Sequence, residues 1–193
     1  MFSVLPAAFT QRYYDINHPG IANFDGTRNP NEKAAASGDA PAGLMAGSVV
    51  INEFLAKNVN GETDEVGQHE DWLELYNNDD IEHSLNGIYL TDDPAKPDKW
   101  LFPINTSIAA NGFLIIWLDE DPTQGPLHAN FKLNNDGEFL MLSNGAGSVI
   151  DSLSFGAQRT DTTFGRYPNG TGAFTFMPRT FNAVNSLTVS SME

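Results

Sequence analysis

The stretch "HEDWLELYNN" (residues 69–78) decides how the chain is read. It holds three acids, Glu70, Asp71 and Glu74, and two aromatics, Trp72 and Tyr76, in its most regular part. Such a stretch can be the wall of an active site, a metal cradle, or one strand of a β-sandwich. From Asp71 to Asn77 it alternates with a period of two, which is the period of a strand and not of a helix. That alternation puts Leu73 and Leu75 on one face and Trp72, Glu74 and Tyr76 on the other. The leucines are the inward pair. The other three are then expected outside, where aromatics beside a carboxylate make a surface suited to sugars or peptides. An ordinary exposed carboxylate between two aromatics is the plainer reading of the same pattern.

Working outward, short β-rich runs recur at roughly ten-residue spacing. "SVVINEFLA" (48–56) precedes the opening stretch, and "LNGIYLT" (85–91) and "KWLFP" (99–103) follow it. "GFLIIWLDE" (112–120) is continuously apolar, as a central strand buried on both faces would be. Residues 130–156 read as a meander whose turns, "NNDG" and "SNGAG", supply the positive φ of tight hairpins. "TTFGRYP" (162–168) is a last strand. The pattern predicts an all-β, antiparallel two-sheet sandwich of about eight strands, in preference to a barrel. Residues 1–47 lack a sustained period and are rich in Pro, Gly, Asn and Ala. They read as an irregular leader or the end of a preceding domain, with "FTQRYYDI" (9–16) as a strand or helical turn and "EKAAAS" (32–37) as a possible turn of helix. The domain is expected over 48–187, with a tail at 188–193.

Composition narrows the function classes. The chain has 193 residues, 40 % hydrophobic and 18 % charged, which is globular composition. Its net charge is −15 with only ten Lys and Arg, which argues against nucleic acid and against an anionic membrane surface as partners. No apolar run approaches the length of a membrane span. With no cysteine, disulfides, thiolate metal sites and cysteine nucleophiles are excluded. "MFSVLPAAF" lacks the basic start of a signal peptide, so the chain reads as a fragment of a longer secreted or cell-surface protein. There is no GxSxG, and with 25 acids a glycosidase-like carboxylate pair carries no weight.

The acids themselves nominate calcium. Residues 48–98 hold thirteen Asp and Glu against two Lys and no Arg. Asn58, Asn60, Glu62, Asp64, Glu65 and Asp71 in the first acidic loop, with Asp79 in "NNDD" and Asp92 in "TDDPAKPD", offer the hard oxygens that calcium takes. The spacing is not that of an EF-hand. Against this stands a solvated acidic face with no bound ion. The histidines His18, His69, His83 and His128 show no zinc-ligand spacing. His128 in "LHANF" is expected to fix a loop. Arg166 in "FGRYPNG" is expected to pair with a carboxylate and pin the last strand.

Several motifs, taken in order, resemble a lamin-tail domain of the bacterial, extracellular type. They are "INEFLAKN" (51–58), "DWLELYNNDD" (71–80), "LNGIYLTDDPAKPDKWLFP" (85–103), "IAANGFLIIWLDE" (108–120), "LHANFKLNNDGEFLMLSNGAGSVIDSLSFG" (127–156) and "FGRYPNGTG" (164–172). The likeness covers about residues 48–185. It implies an immunoglobulin-like sandwich and a secreted or cell-surface module, attached to a larger protein and without catalysis of its own. The partner implied is a protein or a cell-surface polysaccharide. A calcium-stabilised carbohydrate- or cell-wall-binding module, and an accessory domain of a hydrolase, are the alternatives.

Overall fold

The computed structural model describes residues 44–145 and 147–188. Residues 1–43 of the leader expected over 1–47, with its pieces at 9–16 and 32–37, and residues 189–193 of the expected tail lie outside that range. Among the described residues there are twelve strands and no helix, hence none long and apolar enough to cross a membrane. The strands are β1 (Val49–Leu55), β2 (Asp71–Asn77), β3 (His83–Ser84), β4 (Tyr89–Thr91), β5 (Trp100–Leu101) and β6 (Ser107–Ile108). They continue with β7 (Phe113–Leu118), β8 (His128–Ala129), β9 (Gly137–Ser143), β10 (Val149–Gly156), β11 (Thr163–Tyr167) and β12 (Ala173–Met177).

A six-stranded sheet runs β12-β11-β1-β2-β7-β8, a four-stranded sheet runs β10-β9-β4-β5, and β3 pairs with β6. The expected sandwich is therefore present. Two details differ from expectation. Twelve strands replace about eight, because the two-residue strands β3, β6 and β8 and the edge strand "AFTFM" are too short or too weakly patterned to stand out. One pair, β7 with β8, is parallel, and not every pairing is antiparallel as expected.

The core follows from the alternation. Leu73 and Leu75 of β2 join Val49, Ile51 and Phe54 of β1 and Ile116 and Leu118 of β7. Across from them stand Leu90, Leu140, Leu142, Ile150 and Phe155 of the other sheet, in the same cluster. Burying each such side chain fully contributes about 1.5–3 kcal/mol. Leu44 also packs on this cluster, and the Gly47 amide donates to Ile150 O at 3.1 Å, so the domain begins a few residues before Ser48.

β1 is broken by a bulge between Ile51 and Glu53. A bulge leaves polar groups out of the ladder and re-aims side chains. Here it turns Asn52 and Glu53 into the buried outer side of the sheet, where the chain's most unusual chemistry lies.

Candidate functional site

The outer face of the six-stranded sheet is roofed. After β12, residues 178–187 fold back over β1, β2 and β7. Phe181 stands edge-on to Trp72 at 5.1 Å and lies 5.7 Å from Trp117, so Leu55, Trp72, Trp117 and Phe181 form a second apolar cluster. Asn185 stitches the roof down. Its side chain donates to Arg166 O at 2.8 Å, and Asn52 Nδ2 donates to its Oδ1 at 3.2 Å. Thr180 donates through both its amide and its hydroxyl to the Glu53 carboxylate. The exposed surface expected from Trp72, Glu74 and Tyr76 is therefore corrected. Trp72 and Glu74 are fully buried, and only Tyr76 keeps partial exposure, against Phe113 at 5.0 Å. The facing was right, because these residues do point away from the main core. Exposure did not follow from facing, because the chain returns to cover them.

Glu74 accepts from Asn52 Nδ2 at 2.9 Å through one oxygen, and its Oε2 is buried without a partner. Burial pushes its carboxyl up to about 8, helped by the neighbouring Glu53, while Asn52 pulls the other way. Glu53 is itself raised, chiefly by burial. The two are paired directly across β1 and β2. Like charges so close in a dry setting cannot both ionise cheaply.

The oxygen ligands expected for calcium are mostly engaged elsewhere. Asn58 closes its own loop, donating to Glu62 O at 2.7 Å and Glu70 O at 2.8 Å. Asn60 donates to Asp161, Glu62 pairs with Arg179, Asp79 with His83, and Asp92 with Lys99. Asp71 accepts from the Leu133 amide at 3.3 Å, and burial lifts it to about 7. The structure does not bring this set together. It brings Asp64 to two residues outside it. One carboxylate oxygen each from Asp64 and Asp119 and a ring nitrogen of His128 lie within 4.8 Å of one another, the one such His/Asp/Glu group among the described residues.

Each member is held by its own local structure. Asp64 Oδ1 accepts the amides of Val66 and Gln68 at 3.0 and 2.8 Å. Asp119 Oδ1 accepts the Asp121 amide at 2.9 Å. His128 is placed by the parallel pairing of β8 on β7, opposite Trp117. Its Nδ1 meets Asp119 Oδ2 at 2.5 Å, and its Nε2 meets Glu65 Oε2 at 3.0 Å. Burial lowers the ring's proton affinity, but these two carboxylates outweigh it and the net shift is upward. Gly125 leaves room for the ring, since a Cβ there would come within 2.9 Å of His128 Cδ2.

Beside this cluster opens a concavity of about 540 Å³. Phe113, Leu114, Ile115 and Trp117 of β7, with Leu127, give it an apolar lining. Thr63, Asp64 and Glu65 stand on one side and Phe181 and Asn182 of the roof on another. A family model described as Lamin Tail Domain matches residues 45–157, more than half of the chain. The chain belongs to the lamin tail domain family. Among curated proteins no match to it is found.

The matched segment of this lamin tail domain stops before β11, yet β11 lies inside the six-stranded sheet, between β12 and β1. Arg166 shows why residues beyond the match are needed. Its NH2 spans both oxygens of Asp151 on β10 at 3.1 Å, and its Nε donates to Ile51 O at 2.9 Å. Asp151 in turn accepts the Ile51 amide at 2.8 Å, in place of the ladder bond lost at the bulge. One guanidinium thus clasps the two sheets and β1 together. Arg166→Met is expected to cost about 2–3 kcal/mol in urea melts, because it leaves Asp151 half-buried without its partner. A loss below about 0.5 kcal/mol, as at an ordinary surface site, would show that the clasp does not hold the sheets.

The sequence named His128 and Arg166 for positions in loops and strands, but it did not connect His128 with Asp119 and Asp64. Asp119 follows the end of β7 directly, and only the parallel β7–β8 pairing carries His128 to it. A carboxylate just past one strand and a histidine just before the next apolar run were the available signal.

Proposed function

We propose that this lamin tail domain is a non-catalytic binding and structural module of a larger secreted or cell-surface protein, and that it attaches that protein to a partner protein or a cell-surface polysaccharide. The observation that carries this reading is the concavity beside β7. An apolar and aromatic lining with a few polar groups at its margin is the common make-up of a ligand site. Phe113, half-exposed at the margin of the concavity, offers a flat face on which sugar rings and peptide side chains rest, and Asp64, Glu65 and Asn182 offer polar contacts at the rim. The net charge of −15 supports an uncharged or basic partner over nucleic acid.

The test is co-sedimentation with purified cell-wall polysaccharide, alongside binding to an immobilised fraction of cell-surface proteins. Wild type is expected to be retained by one of the two. Ile115→Arg, which places a cation in the concavity, is expected to weaken that retention about tenfold or more while leaving a cooperative melt. Retention unchanged by Ile115→Arg would move the contact to another face. Retention by neither material would remove the attachment reading.

A further inference from the structure

We propose that Asp64, Asp119 and His128 form a binding site for a transition-series dication of the zinc type. The acids alone would not carry this. What does is a buried, unpartnered ligand atom in a preformed group. Asp64 is 7 % exposed, its Oδ1 is saturated by two amides, and its Oδ2 is buried with no hydrogen-bond partner. An unpaired buried carboxylate oxygen is costly, and native structures normally satisfy one. A second acceptor in the adjoining loop, Gln124 Oε1, is also buried without a donor. Asp119 and His128 are 5 % and 1 % exposed.

Charge points the same way. Asp64, Asp119 and Glu65 surround one imidazole, so even a charged His128 leaves the group with an excess of two negative charges. A dication would remove that excess. The donor set selects which. Calcium takes oxygens only and six to eight of them, whereas an imidazole nitrogen with carboxylate oxygens suits zinc and its neighbours. The three side chains are held on separate turns before any ion arrives, by the Asp64–Gln68 turn, the Asp119–Asp121 contact and the β7–β8 pair. Such preorganisation lowers the cost of binding. Glu65, at 3.0 Å from His128 Nε2, stands where it can add a fourth ligand or hold the ring. The proposal is independent of the attachment reading. It would place the ion at the rim of the concavity, through Asp64 and Glu65.

The experiment uses the full chain without an affinity tag, treated with chelator and then melted with zinc or with calcium. Zinc at about a hundredfold above its dissociation constant is expected to raise the melting temperature by about 5 °C or more, and calcium by much less. Asp64→Asn, which keeps shape and the Oδ1 acceptor, is expected to abolish the zinc shift. Cobalt loaded in place of zinc should give the intense visible absorption of a low-coordinate site in wild type and only the weak spectrum of the hydrated ion in Asp64→Asn. This readout does not depend on comparing stabilities. No zinc shift would overturn the proposal. So would a shift that survives Asp64→Asn, which would place zinc on His18, His69 or His83, or a calcium shift as large as that of zinc.

Discussion

Leu73→Asp is expected to abolish the cooperative melt. Leu73 sits at the middle of β2, opposite Phe54 of β1 on one side and Ile116 of β7 on the other, and is fully buried. Its cluster joins both sheets, so a carboxylate there has no water and no cation within the core. Removing the leucine alone would cost about 2–5 kcal/mol. Adding an unpaired charge to that takes the loss to the size of a whole domain's stability, about 5–15 kcal/mol. Ile104→Asp is the control, since Ile104 is 83 % exposed and the same charge there should change little. Circular dichroism melts of the two variants decide the matter. A two-state melt of Leu73→Asp near wild type would mean that the β2 face assigned to the core is wrong.

That prediction was available from the period of two in "DWLELYN", and so was the sandwich. The second apolar layer was not. Alternation tells which side of a sheet a residue faces, and says nothing about what later folds over that side. The roof is built from "RTFNAVN" (179–185), a stretch without periodicity whose hold on the sheet comes from Asn185, Thr180 and Phe181. Side-chain amides and hydroxyls that satisfy a distant bulge look like loop composition in a sequence. The bulge at Asn52 was equally hidden, because "VVINEFL" reads as an unbroken strand. The acidic loops misled for a related reason. Carboxylates near in sequence found different partners, among them Arg179, His83 and Lys99, while the group that gathers, two carboxylates and a histidine, comes from positions 64, 119 and 128. Proximity there is made by the order β2-β7-β8 and by no local spacing.

The roof makes a second large effect predictable. Raising the pH from 5.5 to 8.5, with chelator present, is expected to destabilise the domain, the reverse of the usual behaviour of carboxylates held in ion pairs. Glu74 has a folded pKa of about 8 against an ordinary 4.5, because burial and Glu53 disfavour its charge. A group raised in this way stabilises the fold fully below its unfolded pKa, and that contribution is lost as the pH rises through the folded value. For Glu74 the window is therefore about 4.5 to 8, and the loss across it is on the order of 3 to 5 kcal/mol. Glu53, Asp71, Glu138 and His128 are also raised and act in the same direction. The lowered acids, Asp79, Asp121 and Asp161, have already lost their protons by pH 5.5 in both states, so their contribution is constant over this range. Urea midpoints should fall by about 1 to 2 M between the two pH values. Glu74→Gln keeps the acceptor for Asn52 and removes the titration. It should flatten most of the slope by raising the midpoint at pH 8.5 while leaving that at pH 5.5 nearly unchanged. A wild-type midpoint that is equal or higher at pH 8.5 would show that Glu74 is ionised beneath the roof at little cost. A slope that persists in Glu74→Gln would transfer the effect to Asp71 and His128. Either result would separate the roof's chemistry from its packing, because the contact of Trp72 with Phe181 is the same at every pH and the cost of burying Glu74 arises only as it ionises.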